Sequence, residues 1–266
     1  MKKQLLVISA MTLMATACYV PAFSQEAKKI QDNSFLIEEA YNQEDGVVQH
    51  IQAFQLMKDE TWAYSLTQEW PISMQAHQLS YTIPANYNEI SESGIGDVAL
   101  NYRYQLVFKG DIALSPRLSL LLLAGSHKKG LGSGAAGFQI NVPLSIELTD
   151  KWVTHWNMGS TFIPNSKKPN GEQANAFGFN FGASFIFLLS QNINLVCESV
   201  WNSAEAVQPD GKKVRDDAFF INPGVRFAIN FRNGLQIVPG IAVPVGLGPS
   251  ENAYGVFAYL SFEHPF

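Results

Sequence analysis

A two-residue alternation of apolar and small or polar side chains constrains this chain more than any other feature. The alternation is clearest over residues 174–189 and recurs over 98–108, 138–148 and 219–231. In 174–189, Phe177, Phe179, Phe181, Phe185 and Phe187 alternate with Gly178, Asn180, Gly182, Ser184 and Ile186. Successive side chains of a strand point to opposite faces, so this segment predicts a strand with one phenylalanine face and one small or polar face.

Alternation by itself fits a soluble β-sandwich as well as a transmembrane β-barrel. Sandwich strands average about six residues, whereas a tilted membrane strand needs about 9–11, and the alternating segments here have the longer span. Short breaks also alternate with longer ones, as the turns and loops of outer-membrane barrels do. The short breaks are 71–73, 109–111, 149–151, 190–192 and 232–234, and the longer ones are 84–95, 126–134, 165–173, 203–217 and 246–253. The pattern favours the barrel.

The predicted fold class is all-β, an antiparallel transmembrane β-barrel of twelve strands over residues 47–266. This count takes 57–60 as a tight outer connection. An even number of strands places both ends of the barrel on the periplasmic side. The count stays open by two, because the first strands alternate poorly and residues 35–41 form one more apolar stretch.

Residues 1–24 resemble a signal peptide. Lys2 and Lys3 give a basic start, an apolar stretch follows, and Ala22 and Ser24 are small residues at the positions that a signal peptidase reads. We expect cleavage after Ser24 and localisation in the outer membrane of a Gram-negative-type cell. The alternative makes Cys18 a lipoprotein acceptor.

Residues 25–46 are predicted to be a periplasmic or lumen-entering segment. Its plug candidates are Phe35, Glu38, Glu39 and Tyr41, which combine apolar and acidic side chains. We expect them to cap the lower mouth of the barrel. Pairing of this segment as an extra strand, or disorder, remains open as an alternative.

The charge balance excludes one class of partner. Only 15% of the residues are charged, the formal net charge is −5, and basic residues form no stripe, so nothing indicates nucleic-acid binding. Removal of Cys18 with the leader would leave Cys197 as the remaining cysteine and no internal disulfide. The five histidines lie far apart in sequence and do not indicate a metal site.

Enzyme motifs are weak. Residues 132–137 match G-x-G-x-x-G, but they precede a predicted strand, whereas a dinucleotide site needs a helix there. Residues 126–129 match S-x-x-K within a glycine-rich loop. His155 and Ser160 are predicted to lie on opposite faces of one strand, so they are not expected to form a serine–histidine dyad. We therefore expect no enzyme and no cofactor.

Aromatic residues near predicted strand ends are typical of the girdles that meet lipid headgroups. The tryptophans are Trp62, Trp70, Trp152, Trp156 and Trp201. The last strand ends in Phe266, which resembles the signal that barrel-assembly machinery recognises. Outer-membrane lipid and that machinery are the expected partners, together with a small-molecule solute.

Three segments carry a family resemblance. Residues 34–44 (SFLIEEAYNQE), 94–104 (GIGDVALNYRY) and 255–266 (GVFAYLSFEHPF) are similar to bacterial outer-membrane barrels grouped as the putative MetA-pathway of phenol degradation, or "transporter", family. The resemblance spans most of the chain after the leader. It implies passage of small, hydrophobic or aromatic molecules, and it brings no catalytic or binding residues to transfer.

Six charged residues are predicted to point into the lumen. They are the pore-lining candidates Glu69, Arg103, Arg117, Glu147, Glu198 and Arg226. Buried charges must be paired or hydrated, so the six form either a salt-bridge network that closes a narrow lumen or a lining that selects solutes.

The expected function is passive passage of small molecules, because no nucleotide motif could drive transport. The alternative is a closed structural or binding barrel that acts through its extracellular loops, of which 203–217 is predicted to be the longest and most charged.

Overall fold

The computed structural model describes residue 30 and residues 32–72, 74–87, 93–208 and 210–266. The predicted signal peptide, 1–24, and Cys18 lie outside the described residues. No helix in the described part of the chain is long and apolar enough to cross a membrane.

The described residues form one antiparallel sheet that closes into a twelve-stranded barrel. Closure occurs between the first and last strands, from Val47 opposite Pro265 to Met57 opposite Gly255. The strands are β1 (Val47–Met57), β2 (Trp62–Pro71), β3 (His77–Tyr87), β4 (Gly94–Ile95, Val98–Tyr104 and Val107–Lys109), β5 (Ile112–Leu114 and Arg117–Leu122), β6 (Gly137–Thr149), β7 (Trp152–Lys167), β8 (Gln173–Ser190), β9 (Ile193–Val207), β10 (Lys213–Phe227 and Ile229–Asn230), β11 (Gln236–Ala242 and Val245–Gly246) and β12 (Gly255–Pro265). The predicted fold class is confirmed.

Two of the interrupted strands break beside a proline. Pro116 lies in the gap of β5 and Pro244 in the gap of β11. Proline has no backbone N–H to donate to a neighbouring strand, so pairing stops for two residues and resumes beyond it.

The outer surface of the barrel is apolar. On β8, Phe177, Phe179, Phe181 and Phe185 point outward and are 43–47% exposed, while the alternate residues Ser184 and Ile186 are buried inside. A wall of exposed phenylalanines is stable in hydrocarbon and not in water. The protein is therefore a membrane-spanning barrel whose predicted lipid face is the observed outer face.

The connections differ in part from the prediction. The short breaks are periplasmic turns. The prediction of a long loop over 203–217 is wrong, because β9 continues to Val207 and β10 begins at Lys213. The expected loop 165–173 likewise shrinks to 168–172. Strand pairing continues beyond the apolar band, where Lys213 pairs with Glu205 at 2.8 Å. Charged side chains follow one another there, so the apolar alternation disappears although the strands persist.

The hydrophobic core of the protein lies inside the barrel. Inward side chains of the strands, among them Ile51, Val196 and Phe257, pack around Ile30 and Phe35. The residues that precede β1 therefore supply the centre of the core, and the barrel is filled in its periplasmic half.

The phenylalanine face of β8 gives a direct test of this orientation. Phe181→Arg places a charge in the hydrocarbon and is expected to lower the free energy of unfolding by about 2–4 kcal/mol. The measurement is denaturant unfolding in lipid vesicles, with Phe181→Leu as the matched control. Equal stability of the two variants would show that this face does not meet lipid.

Candidate functional site: the occupied lumen

Residues 32–43, called here the N-terminal segment, lie inside the barrel and pair with no strand of its wall. The Asn42 side-chain amide donates to the carbonyl of Ala76 in the β2–β3 turn, which places this end at the periplasmic mouth. Traced back from Asn42, the chain extends into the lumen to a bend at residues 35–37 and returns to Ile30, which lies beside Val153 near the turn that precedes β7. The segment thus enters and leaves the lumen by one mouth.

Glu198 of β9 binds the top of the segment through its backbone. Its Oε1 accepts hydrogen bonds from the backbone N–H groups of Phe35, Leu36 and Ile37, each at 3.0 Å. Its Oε2 also accepts one from Asn222 at 2.9 Å. Successive backbone N–H groups that converge on one oxygen form an anion-binding nest, which satisfies a carboxylate that is fully buried here.

Two arginines bind the carbonyl groups of the segment. Arg103 of β4 donates to the carbonyls of Glu39 and Tyr41, at 3.1 and 2.6 Å, and lies 3.7 Å from Glu69 of β2. Arg226 of β10 donates to two further carbonyls, those of residues 32 and 33. Both guanidinium groups are buried, so the peptide dipoles of the segment supply much of the hydrogen bonding that burial demands.

The fourth contact is an ion pair at the top of the segment. Glu38 lies 2.7 Å from Arg117 of β5, and Arg117 also donates to Gln139 of β6. Asn157 of β7 holds the same residue in place, because its amide accepts from the Glu38 N–H at 2.9 Å and donates to the Glu38 carbonyl at 2.8 Å.

Glycines of the wall leave space for the apolar side chains of the segment. A Cβ at Gly240 would lie 2.6 Å from the Phe35 ring, and one at Gly224 would lie 2.7 Å from it. Gly182 has the same relation to Ile37. The ring of Phe35 packs edge-on against Phe257, with centroids 5.7 Å apart.

The remaining two predicted site residues, Tyr41 and Glu147, line a small cavity near the periplasmic mouth, together with His155 and Arg226. The Tyr41 ring meets the His155 ring edge-on at 6.2 Å. Ser145 and His155 share a hydrogen bond of 2.7 Å, and Ser145 also accepts the Ala40 N–H at 2.8 Å. Both side chains are buried beneath the segment, where they anchor it.

An open vestibule lies above the segment. It has a volume of about 530 Å³, and Leu36, Ile37 and Glu38 contribute to its lining. Its polar lining includes Gln139, Asn141, Asn157, Asn180 and Asn202, and its apolar lining includes Ile163, Ala176, Val200 and Phe220. Gly159 contributes by its lack of a side chain, because a Cβ there would lie 2.6 Å from Oδ1 of Asn180 and 2.9 Å from Oδ1 of Asn141. The vestibule is therefore an amide-rich basin with an apolar side.

Comparison with protein families decides the identity of the chain. The family described as "Putative MetA-pathway of phenol degradation" matches residues 31–246. The chain belongs to this family. The match begins one residue before the N-terminal segment, so the family pattern includes the residues that fill the lumen as well as the wall around them.

Solved structures share the fold of this family member. A COG4313 outer membrane channel from Pseudomonas putida F1 is 13% identical with a TM-score of 0.64, over 85% of this chain and 98% of that one. The NanC porin is 11% identical with a TM-score of 0.53, over 82% of this chain and all of that one. Comparison with curated proteins finds no match. At these identities the likeness concerns the fold.

The six charged residues predicted for the lumen all lie on the inner face of the wall. Their contacts are not the predicted network of salt bridges across the barrel. Arg103 has its predicted kind of partner in Glu69 and also contacts the N-terminal segment. Glu198, Arg226 and Arg117 contact the segment as well. The glycines that leave space for Phe35 and Ile37 were not predicted as site residues from the sequence. The small-residue face of β8 was the available signal for Gly182. No group of three or more potential ligands among the described residues could hold a metal ion.

Glu198 should control how tightly the segment is held. Glu198→Ala removes the acceptor of three backbone N–H groups, and hydrogen bonds to a charged group contribute about 1.5–3 kcal/mol each. We expect labelling of a buried thiol introduced by Ser34→Cys, in a Cys197→Ser background, to accelerate about tenfold or more.

Glu205→Ala is the matched control for this measurement, because Glu205 lies on the same strand but pairs with Lys213 at the outer rim. Its labelling rate should equal that of the parent. Equal rates in all three proteins would mean that Glu198 does not retain the segment.

Proposed function

We propose that the protein is a passive outer-membrane channel for small molecules, closed at rest by its N-terminal segment. The observation that carries this proposal is the way in which the segment is bound. It fills the lumen without joining the sheet, and charged side chains hold it through backbone groups that water can equally satisfy. Its removal would leave a closed wall with a polar interior, which is the form of a channel.

We propose the six charged residues of the inner face as the lining of the opened channel. Glu69, Glu147 and Glu198 balance Arg103, Arg117 and Arg226, so a lumen vacated by the segment is polar and close to neutral. Twelve strands give a lumen between the filled eight-stranded barrel and the open sixteen-stranded porin. Such a lumen admits small solutes and excludes folded proteins. Flux follows the gradient, without catalysis.

The vestibule supports a more specific solute class. Its amide groups offer hydrogen bonds to hydroxyl groups, and Ile163, Val200 and Phe220 offer an apolar wall. The one ion pair on its floor, Glu38 with Arg117, is internally neutralised. We therefore propose small, uncharged, hydrophobic or aromatic molecules that carry a polar group. The family description, which refers to phenol degradation, is consistent with this class.

A second candidate function is a closed structural or binding barrel that acts through its extracellular surface. The dense hydrogen bonding of the segment favours it, because a permanently bound segment never opens the lumen. The two candidates differ in whether movement of the segment produces a current.

An engineered disulfide distinguishes them. Ala40→Cys with Ser145→Cys, in a Cys197→Ser background, joins the segment to β6 at a place where the Ala40 N–H lies 2.8 Å from the Ser145 hydroxyl. We expect little single-channel current from the oxidised protein in a planar bilayer. Reduction should restore the current of the parent protein, and deletion of residues 30–43 should raise the current above it.

The single variant Ala40→Cys is the control for the reagents and should conduct equally under both conditions. Silence of the reduced, segment-deleted and parent proteins, all shown to be folded by heat-modifiable gel mobility, would overturn the channel proposal and favour the closed barrel.

Ion selectivity tests the lining. In the variant that lacks residues 30–43, Arg103→Ala leaves Glu69 without its partner at 3.7 Å. The reversal potential in a salt gradient should therefore shift toward cation selectivity. Lys128→Ala, in the extracellular connection between β5 and β6, should leave it unchanged. A shift of equal size in both variants would place the selectivity at the outer mouth.

A further inference from the structure

The outer surface of β1, β2 and β3 differs from the rest of the barrel wall. Apart from the two end residues of β3, five outward side chains of these strands, called here the polar outer stripe, carry amide, imidazole or phenol groups. They are His50, Gln52, Tyr64, Gln68 and Tyr81. The register places His50 opposite Gln68, and Gln68 opposite Tyr81, so the stripe is continuous across the three strands.

The stripe lies at the depth of the hydrocarbon. The outward row of β2 is Trp62, Tyr64, Leu66, Gln68 and Trp70, and tryptophans mark the two interfaces of a membrane strand. Gln52 lies opposite Leu66, the middle residue of that row. Gln52 is therefore midway between the two interfaces, and Gln68 lies one outward position inside Trp70.

Hydrogen bonds within the stripe satisfy only part of it. The Tyr64 hydroxyl donates to Oε1 of Gln52 at 3.1 Å, and the Tyr81 hydroxyl donates to Oε1 of Gln68 at 2.7 Å. In the part of the chain that the structure describes, Nε2 of neither glutamine has a hydrogen-bond partner. Leaving an amide N–H without a hydrogen bond in hydrocarbon is strongly unfavourable in free energy. A protein partner that accepts hydrogen bonds from these amides would remove that penalty.

The other side of the barrel shows what a purely lipid-facing wall looks like. The outward row of β6 is Phe138, Ile140, Val142, Leu144, Ile146 and Leu148, and that of β8 is phenylalanine-rich. The same chain therefore has one wall suited to lipid and one wall that carries unpaired donors.

We propose that the polar outer stripe is an interface between two copies of this protein in the membrane. An amide has both a donor and an acceptor, and a tyrosine hydroxyl that donates to a neighbour still accepts. A two-fold axis beside Gln52 would bring the donors of each copy to the acceptors of the other, without any second kind of chain. The outward Phe54 and Leu56, which are exposed at the outer end of the same strand, add apolar surface to the contact.

Cross-linking in intact outer membranes tests the interface. Leu66→Cys, in a Cys197→Ser background, places a thiol at the centre of the stripe and leaves both glutamines in place. A short bifunctional maleimide should give a species of twice the monomer mass that contains this chain alone by mass spectrometry. Phe181→Cys, on the opposite wall, is the matched control and should give several-fold less.

Addition of Gln52→Leu and Gln68→Leu to the Leu66→Cys protein should lower the cross-linked fraction several-fold. The barrel should stay folded by heat-modifiable gel mobility, because leucine suits hydrocarbon better than an amide. If the double variant fails to assemble, the single variants Gln52→Leu and Gln68→Leu give the same comparison. Equal cross-linking of Leu66→Cys and Phe181→Cys, an unchanged yield in the leucine variants, or an adduct with a different protein would each overturn the proposal.

Discussion

Buried charge in the lumen is the constraint on which the rest of this structure depends. Glu198, Arg103 and Arg226 point inward from three different strands, where an unpaired charge would be strongly unfavourable. The N-terminal segment stabilises these charges through its backbone. Its N–H groups donate to the glutamate, and its carbonyls accept from the arginines. Because these contacts use the backbone, the course of the segment matters more than most of its side chains.

Some side chains of the segment matter as well. Phe35 needs the space that Gly224 and Gly240 leave, and Glu38 needs Arg117. Together they fix how far the segment rises and therefore where the vestibule ends. The same contacts that close the lumen thus shape the basin that a solute would meet first.

One rule relates the inner and outer surfaces of the wall. A polar group that is hidden from water requires a partner. Inside the barrel, the segment is that partner for the lumen charges. Outside, β6 and β8 avoid the problem with apolar rows, whereas β1, β2 and β3 present glutamine amides with unused donors. The poor apolar alternation of the first strands, which weakened their assignment from sequence, reflects this polar surface.

The apolar periodicity of the sequence predicts most of the strands and their two faces, because a strand's periodicity is local and can be read from neighbouring residues, and it leaves the number of strands open by two. The same periodicity assigns six charged residues to the inner face. It does not predict the ends of β9 and β10, because charged residues replace the apolar signal there while backbone pairing continues. The tertiary structure alone decided what the inward charges bind. Glu198 and Phe35 are 163 residues apart, and only closure of the whole barrel brings the carboxylate to the N–H groups that satisfy it.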